Sequence, residues 1–240
     1  MWDRKELKSK GKKAFYANYW RSVLVAFLIV VLISGGAAAG GGSGRGAYSG
    51  EETSSSSDSG SSVSYDSTVV LPIVTAVLGG AAIVGLALDI LVLNPLEVGC
   101  RRFFLVNGKE PATLGELGYG FRNNYGNILA TILLRDVFLV LWTMLFIVPG
   151  IIKAYSYKLV PYLLSEDPTL SPTDAITRSR EMMNGNKWNA FVLDLSFLGW
   201  HILSALTAGL LGIFYVNPYV AATDAELYRA IRVLKSETER

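Results

Sequence analysis

Ionisable side chains lie inside several long apolar stretches of this sequence, and they are the residues most capable of chemistry. At the centre of a membrane-spanning helix, one charged side chain costs about 2.5–3.5 kcal/mol on insertion scales, so such groups are usually paired or hydrated. Each is therefore a candidate for an ion pair between helices or for an ion or proton pathway. The candidates are Asp89, Arg135, Asp136, Lys158, Asp194 and His201.

Depth along the apolar stretches predicts which of these charges meet. A helix rises about 1.5 Å per residue, which puts Asp89, Arg135 and Asp194 roughly 9–14 Å from the inner ends of their stretches. We therefore expect one charge layer, with Lys158 near the same level. Asp194 is the predicted partner of Arg135, and Asp89 is the second choice. The adjacent Asp136 is expected to point about 100° away from Arg135 on the same helix. Structural ion pairs and a substrate or proton pathway both fit such a layer.

The composition and the spacing of motifs argue against other kinds of site. One Cys excludes an internal disulfide, and one His excludes the usual His-rich zinc sites. Lys and Arg form no run dense enough for a nucleic-acid protein. Residues 42–47 match the glycine spacing of a dinucleotide-binding motif. That motif follows a strand, and no predicted strand precedes these residues. His201 is expected to hydrogen-bond across helices. We predict no catalytic residue, no metal site and no cofactor.

The apolar stretches themselves predict an all-α, polytopic transmembrane bundle of about six spans. About 20 mostly apolar residues are needed to cross the hydrocarbon core of a bilayer. The composition agrees, because 51% of the residues are hydrophobic and only 18% are charged, against about 25% charged in soluble domains. Pro149-Gly150 is expected to break the helix between the third and fourth spans. The predicted spans are residues 22–39, 68–93, 127–148, 151–165, 188–206 and 211–222.

The distribution of basic residues predicts the orientation of this bundle. Cytoplasmic loops of membrane proteins are enriched in Lys and Arg. With six spans, 18 of the 22 basic residues fall on one side, whereas four spans would leave five of them in one external loop. Six spans with both termini in the cytoplasm therefore fit better.

Three further segments belong to the same integral membrane domain, residues 1–240. Residues 1–21 are predicted to be a basic interfacial helix, and aromatic residues before the first span favour an uncleaved anchor over a signal peptide. Residues 40–67 contain 11 Ser and 7 Gly, which predicts a disordered external loop. Residues 171–184 predict a cytoplasmic amphipathic helix that begins with a capping box of Ser171 and Asp174. This helix either covers the bundle or recruits a cytoplasmic partner.

The sequence also contains a weak internal repeat. A shift of 168 positions superposes the start of the first span on the start of the fifth, and an Asn-Pro pair follows later in each half. So few identities leave both a genuine repeat and coincidence open. The matched positions are Lys10, Lys12, Asn18 and Trp20 with Arg178, Arg180, Asn186 and Trp188, and Asn94-Pro95 with Asn217-Pro218.

Several short motifs resemble those of one bacterial membrane-protein family. They are the IVPGII of residues 147–152, Tyr157, Pro161-Tyr162, Ala175-Ile176, Ser179-Arg180, Met183, the GNKW of residues 185–188, the LSFLGW of residues 195–200, and Asn217-Pro218-Tyr219. The sequence is thus similar to the integral membrane family catalogued as domain of unknown function 975. The resemblance implies a multi-pass protein of the bacterial cell membrane with no established activity.

From these features we expect a non-enzymatic envelope scaffold or accessory component. The alternative is a small-solute or ion transporter that uses the buried charge layer. An enzyme acting on lipid is disfavoured, because the sequence shows no nucleophile–base pair and no metal-ligand cluster. The expected surroundings are the lipid bilayer and an unidentified membrane or cytoplasmic protein, without nucleic acid.

Overall fold

The computed structural model of the protein describes residues 2–40, 79–80, 84–85 and 87–238, and these residues form helices, turns and connecting segments without a strand. The all-α class is therefore confirmed. The dinucleotide-like residues 42–47, nearly all of the predicted external loop 40–67 and most of the second predicted span lie outside the described residues.

The helices are named here in chain order. They are α1 (Arg4–Ala17), α2 (Tyr19–Gly40), α3 (Asn94–Asn107), α4 (Tyr119–Arg122), α5 (Tyr125–Leu145), α6 (Ile147–Tyr157), α7 (Val160–Glu166), α8 (Pro172–Met183), α9 (Lys187–Leu195), α10 (Leu198–Leu206) and α11 (Asn217–Thr238). Two π-helical turns, Asp89–Leu93 and Gly212–Val216, lead directly into α3 and α11, and a 3-10 turn, Leu114–Gly118, precedes α4.

Helices α1, α3, α7, α8 and α11 form what we call the helical base, in which large side chains point inward. Phe103 of α3, Tyr162 of α7 and Tyr228 of α11 are each at most 1% exposed. Helix α1 packs against α11 at Gly11, where a Cβ atom would lie 2.9 Å from the Cα atom of Thr223. Glycine is needed there because any side chain would push the two backbones apart.

The remaining apolar surface is exposed, and we call residues 84–93, 137–152 and 195–214 the apolar half. Most of the exposed large apolar side chains of the described residues come from these ranges. Met144 is 82% exposed, Ile147 is 73% exposed and Leu206 is 79% exposed. Soluble proteins rarely expose contiguous apolar surface on this scale. The apolar half therefore needs surroundings other than bulk water.

Two helical stretches of the described residues are long and apolar enough to cross a membrane, Tyr125–Leu145 and Lys187–Leu206, and Tyr19–Val30 is a shorter apolar helix. The third and fifth predicted spans match the two long stretches, and six spans are not confirmed. The fourth predicted span is divided into α6 and α7. The sixth consists of a π-helical turn followed by α11, which continues to Thr238.

The α5–α6 turn differs from the prediction that Pro149-Gly150 breaks the helix. The break lies at Phe146, whose extended backbone (φ −156°, ψ 140°) separates α5 from α6. Pro149 sits in the first turn of α6, where its missing N–H has no partner to lose. Gly150 is buried, and a Cβ atom there would lie 2.9 Å from the Cα atom of Thr143. The Pro-Gly pair therefore starts a helix and lets it pack closely on α5.

The two Asn-Pro pairs have the same local structure. The Asn94 N–H donates to the Asp89 carbonyl, and the Asn217 N–H donates to the Gly212 carbonyl, so each pair is preceded by one wide π-helical turn. Pro has no N–H for the usual helical bond, and a π turn changes the register of the hydrogen bonds beside it. The two halves thus share a structural feature that the sequence comparison pointed to.

Candidate functional site: an ion-pair network

Seven charged side chains from five parts of the fold form a continuous series of contacts, which we call the ion-pair network. Helices α3, α5, α9 and α11 and the α6–α7 connection each contribute at least one member. Negative and positive groups alternate along it. In order of contact the members are Asp136, Arg135, Glu97, Arg101, Asp224, Lys158 and Asp194.

Arg135 joins the first three members. Its Nη2 atom lies 2.8 Å from Glu97 Oε2 and 2.8 Å from Asp136 Oδ1, and its Nε atom donates to Asp136 Oδ1 at 2.9 Å. Burial alone would raise the pKa of Glu97, but the guanidinium groups of Arg135 and Arg101 outweigh it and hold that pKa below its ordinary value. Glu97 also lies in the first turn of α3, where the helix dipole favours an anion.

Arg101 links the two ends of the network. Its Nη2 atom is 3.8 Å from Glu97 Oε1, and its Nη1 atom is 3.9 Å from Asp224 Oδ2. The guanidinium group also lies over the ring of Tyr162, 5.6 Å from its centroid, and Nη1 donates to the Tyr162 hydroxyl at 3.5 Å. The Nε atom of Arg101 is buried and has no hydrogen-bond partner among the described residues.

Lys158 completes the network just beyond the end of α6. Its Nζ atom lies 2.8 Å from Asp224 Oδ1 and donates to both carboxylate oxygens of Asp194 at 3.1 Å. The Tyr155 hydroxyl donates to Asp194 Oδ2 at 2.9 Å. A cation at the carboxyl end of a helix interacts favourably with the helix dipole. Asp194 is therefore held by two groups from the same end of α6.

The internal members of the network are largely shielded from solvent, and this burial determines how much their ion pairs contribute to stability. The exposed fraction of the side chain is 12% for Arg135, 10% for Asp224 and 19% for Lys158. Removing one partner of a buried ion pair typically costs about 3–5 kcal/mol, because the other charge is left unpaired. Each internal member contacts two opposite charges. The arrangement therefore ties helices together, and its four carboxylates and three cations leave a net charge of only −1.

The network lies at the junction of the helical base and the apolar half. In α5, Ile128 and Ile132 before Arg135 are fully buried, whereas Val140 and Met144 after it are exposed. Three of the other four contributing segments show the same change in burial on either side of a charged residue, and in α11 the change comes before Asp224. Exposed Leu91 and buried Val98 flank Glu97, and exposed Ile152 and buried Leu163 flank Lys158. Buried Leu193 and exposed Leu195 flank Asp194. In α11, exposed Phe214 and buried Ala222 both precede Asp224.

The structure brings four of the six predicted site residues into the network: Arg135, Asp136, Lys158 and Asp194. The predicted pairing of Arg135 with Asp194 or Asp89 is wrong, because Arg135 contacts Glu97 and Asp136. The expected separation of about 100° between Arg135 and Asp136 describes only the directions of their Cα–Cβ bonds. The long side chain of Arg135 bends back, so that its guanidinium group reaches Asp136.

Asp89 and His201 lie outside the network. Asp89 is half-buried in the π-helical turn before α3, close enough to Asp136 for the two carboxylates to interact electrostatically. His201 lies on α10, where its side chain is exposed and forms no hydrogen bond with the described residues. Among the described residues, His201 therefore has no partner for the predicted interhelical hydrogen bond.

Sequence reasoning missed the central members Arg101 and Asp224. Arg101 follows Asn94 by seven residues, and Asp224 follows Asn217 by the same number. Opposite charges at matching positions of the two Asn-Pro helices were the signal that could have found this pair.

Within the described part of the chain, no group of three or more His, Cys, Asp or Glu side chains is arranged to hold a metal ion. The fold is that of an all-helical protein with one ion-pair network between a buried base and an exposed apolar half. Residues 122–235 match the model of the family described as protein of unknown function (DUF975). This match confirms, over these residues, the resemblance seen in the sequence. Searches of curated proteins and of solved structures found no match.

The matched segment covers α5 to most of α11. It contains Arg135, Asp136, Lys158, Asp194 and Asp224, while Glu97 and Arg101 come from α3, before the segment begins. The network therefore joins the part of the chain that matches the family model to the part that precedes it.

Proposed function

We propose that this protein is a multi-pass protein of the bacterial cell membrane that acts as a non-enzymatic scaffold or accessory component of the cell envelope. The observation that carries the proposal is the ion-pair network, whose opposite charges are paired between helices at the junction with an exposed apolar half. A scaffold needs rigidly joined helices and a surface for neighbours, and this arrangement supplies the first requirement.

Membrane embedding is supported by the apolar half and by the distribution of charge. Exposing apolar surface to water costs about 25 cal/mol per Å², so acyl chains are more favourable neighbours for α10 and for the tip between α5 and α6. The basic residues supply the orientation. Eighteen of the 22 lie in segments on one side of the six proposed spans, which favours cytoplasmic termini.

The positions of the cavities favour a scaffold over an enzyme or a carrier. Four of the cavities in the described part of the protein have volumes of about 250 to 560 Å³, and none of the residues that line these four belongs to the ion-pair network. The largest of the four is lined by residues of α8 and α11, including Asp174, Arg178 and Arg232. Binding sites for small ligands are usually concave and lined by groups that converge on the ligand. The network forms no such site with these cavities.

One observation favours transport as the second candidate. The network contains four carboxylates and three cations, and the buried Nε atom of Arg101 has no partner among the described residues. Intramembrane carboxylates often belong to proton or ion pathways. A proton or a small cation that moves along the network would use the excess negative charge.

Cysteine labelling separates the two candidates. Ser156 is 1% exposed and lies beside the network, between Tyr155 and Lys158. In Ser156→Cys, a scaffold predicts no reaction with a hydrophilic thiol reagent in intact membranes, whereas a hydrated pathway predicts labelling from one side. The native Cys100 gives little background, because it is buried and burial raises the pKa of its thiol to about 12.

The same method tests the orientation with surface positions. With a membrane-impermeant reagent, a cysteine at Ser57 should react in intact cells. Cysteines at Lys109, Asn184 and Glu237 should react only after the membrane is permeabilised. Reaction at Asn184 in intact cells would contradict the six-span topology and favour four spans.

A further inference from the structure

Three cations from different helices meet beside the apolar half without a matching anion. Lys153 lies on α6, Arg180 in the last turn of α8, and Lys187 at the start of α9. Arg180 and Lys187 are close enough to act electrostatically on Lys153. None of the three forms an ion pair with a described residue. We call these residues the α6–α8–α9 cationic cluster.

The cluster has a concave side. A groove of about 280 Å³ is lined by both Arg180 and Lys187, together with Thr177, Glu181 and Asn184. Glu181 is the acidic residue of the groove, so the cluster with Glu181 retains a net charge of +2. This contrasts with the ion-pair network, where cations and carboxylates alternate. Like charges that share a concave surface raise the local concentration of anions.

The immediate chain neighbours of the cluster are exposed apolar side chains. Ile151 and Ile152, just before Lys153, are each 49% exposed, and Trp188, just after Lys187, is 71% exposed. The ammonium group of Lys153 also lies 4.5 Å from the centroid of the Trp142 ring. Trp is enriched at the level of lipid headgroups, where one side of its ring meets acyl chains and the other meets water.

We propose that the α6–α8–α9 cationic cluster binds the phosphate headgroup of an anionic phospholipid, whose acyl chains lie against the exposed side of α6 and α9. This inference rests on the membrane embedding proposed above. Charge complementarity selects an anion, and the adjacent apolar surface selects a lipid over free phosphate. Basic pockets between helices on the cytoplasmic side are suited to such headgroups.

The internal repeat supplies a matched comparison within the same protein. Lys12 and Trp20 occupy the positions that correspond to Arg180 and Trp188, and Trp20 is 73% exposed. The position that corresponds to Lys187 is Tyr19, however, and Lys12 lies over the ring of Tyr16, 5.9 Å from its centroid. At these two positions the first copy therefore has one cation, whereas the second copy has two. The second copy should be the stronger headgroup site.

The experiment uses the full-length protein, first floated with phosphatidylcholine vesicles and then purified in detergent for lipid titration. Bound phosphatidylglycerol is counted by native mass spectrometry for the wild type, for a triple variant (Lys153→Gln, Arg180→Gln, Lys187→Gln) and for a control triple variant (Lys5→Gln, Lys13→Gln, Lys235→Gln) with the same loss of charge. Phosphatidylcholine and inorganic phosphate are titrated in parallel. Single Arg180→Gln and Lys187→Gln variants guard against misfolding of the triple variant.

We expect the cluster variant to bind phosphatidylglycerol about tenfold more weakly or worse, since each basic residue near a bilayer surface contributes measurably to anionic-lipid binding. The control variant should bind like the wild type, and each single variant should lie in between. Equal binding by all variants would overturn the inference, and so would equally tight binding of inorganic phosphate alone. Failure to float with phosphatidylcholine vesicles would instead contradict the proposed membrane embedding.

Discussion

The helical base and the apolar half place the same kinds of side chain in opposite surroundings. Phe103 in the base is fully buried, whereas Phe146 at the tip of the apolar half is 65% exposed. Tyr162 and Tyr228 stack inside the base with their ring centroids 5.2 Å apart. In a protein surrounded only by water, large aromatic side chains are expected to be mostly buried in every region of the molecule. The difference indicates that the two regions have different neighbours.

The ion-pair network lies where these two patterns meet, and its position gives it a specific role. Charges deeper in the apolar half would be more expensive, while charges on the surface of the base would be screened by water. At the junction, the network joins α5, α6 and α9 to α3 and α11 without exposing a net charge of more than one. The base thereby fixes where the apolar helices emerge.

The largest effect is expected at the centre of the network. Asp224→Asn removes the carboxylate that both Lys158 and Arg101 contact, so the free energy of unfolding in detergent should fall by about 3–5 kcal/mol. Glu110→Gln on the exposed surface is the matched control and should change it by less than about 0.5 kcal/mol. Similar losses of unfolding free energy for the two variants would show that a charge at the junction stabilises the protein no more than a charge on the exposed surface.

A pair of identical substitutions sharpens the comparison between base and apolar half. Phe103→Ala should cost about 3–5 kcal/mol, because it leaves a cavity in a packed core. Phe146→Ala removes the same atoms from an exposed site and should cost less than about 0.5 kcal/mol in detergent. Denaturant titration measures both. Equal losses would mean that the tip of the apolar half is packed against something in the isolated protein.

A smaller effect is expected at the start of α8. The Ser171 hydroxyl accepts a hydrogen bond from the Asp174 N–H at 3.2 Å, which is one of the two bonds of a capping box, and it donates to Asp174 Oδ2 at 2.6 Å. Ser171→Ala should cost about 1 kcal/mol. Thr177→Ala, at an exposed site further along the same helix, serves as the control, and an equal loss there would show that the cap is not the cause.

The sequence predicted local features better than it predicted neighbours. Residue types and apolar periodicity were enough to expect helices, the capping box of α8 and charges in the middle of α5. The rise per residue of a helix predicted how far Arg135 lies from the inner end of its span. That distance does not predict which helix packs beside Arg135. The true partner, Glu97, precedes Arg135 by 38 residues, so only the packing of α3 on α5 could reveal it.

The α5–α6 turn shows a second limit of sequence reasoning. Pro149-Gly150 is typical of both a helix break and a helix start, because Pro is tolerated in the first turn of a helix. The deciding contact is between Gly150 and Thr143 across the turn. This contact exists only after α5 and α6 have packed together, so a local motif could not place the break at Phe146.

The most direct test of the network is a double-mutant cycle on Arg135 and Glu97, measured as the free energy of unfolding in detergent. Arg135→Leu and Glu97→Leu should each cost about 3–5 kcal/mol, and the double variant should recover much of the loss, since replacing both partners of a buried pair by apolar groups is often nearly neutral. Arg135→Leu combined with Asp194→Leu should show a much smaller coupling energy than the Arg135–Glu97 pair, because these two residues lie at opposite ends of the network and share no direct contact. Additivity for Arg135 and Glu97, or coupling only between Arg135 and Asp194, would contradict the network.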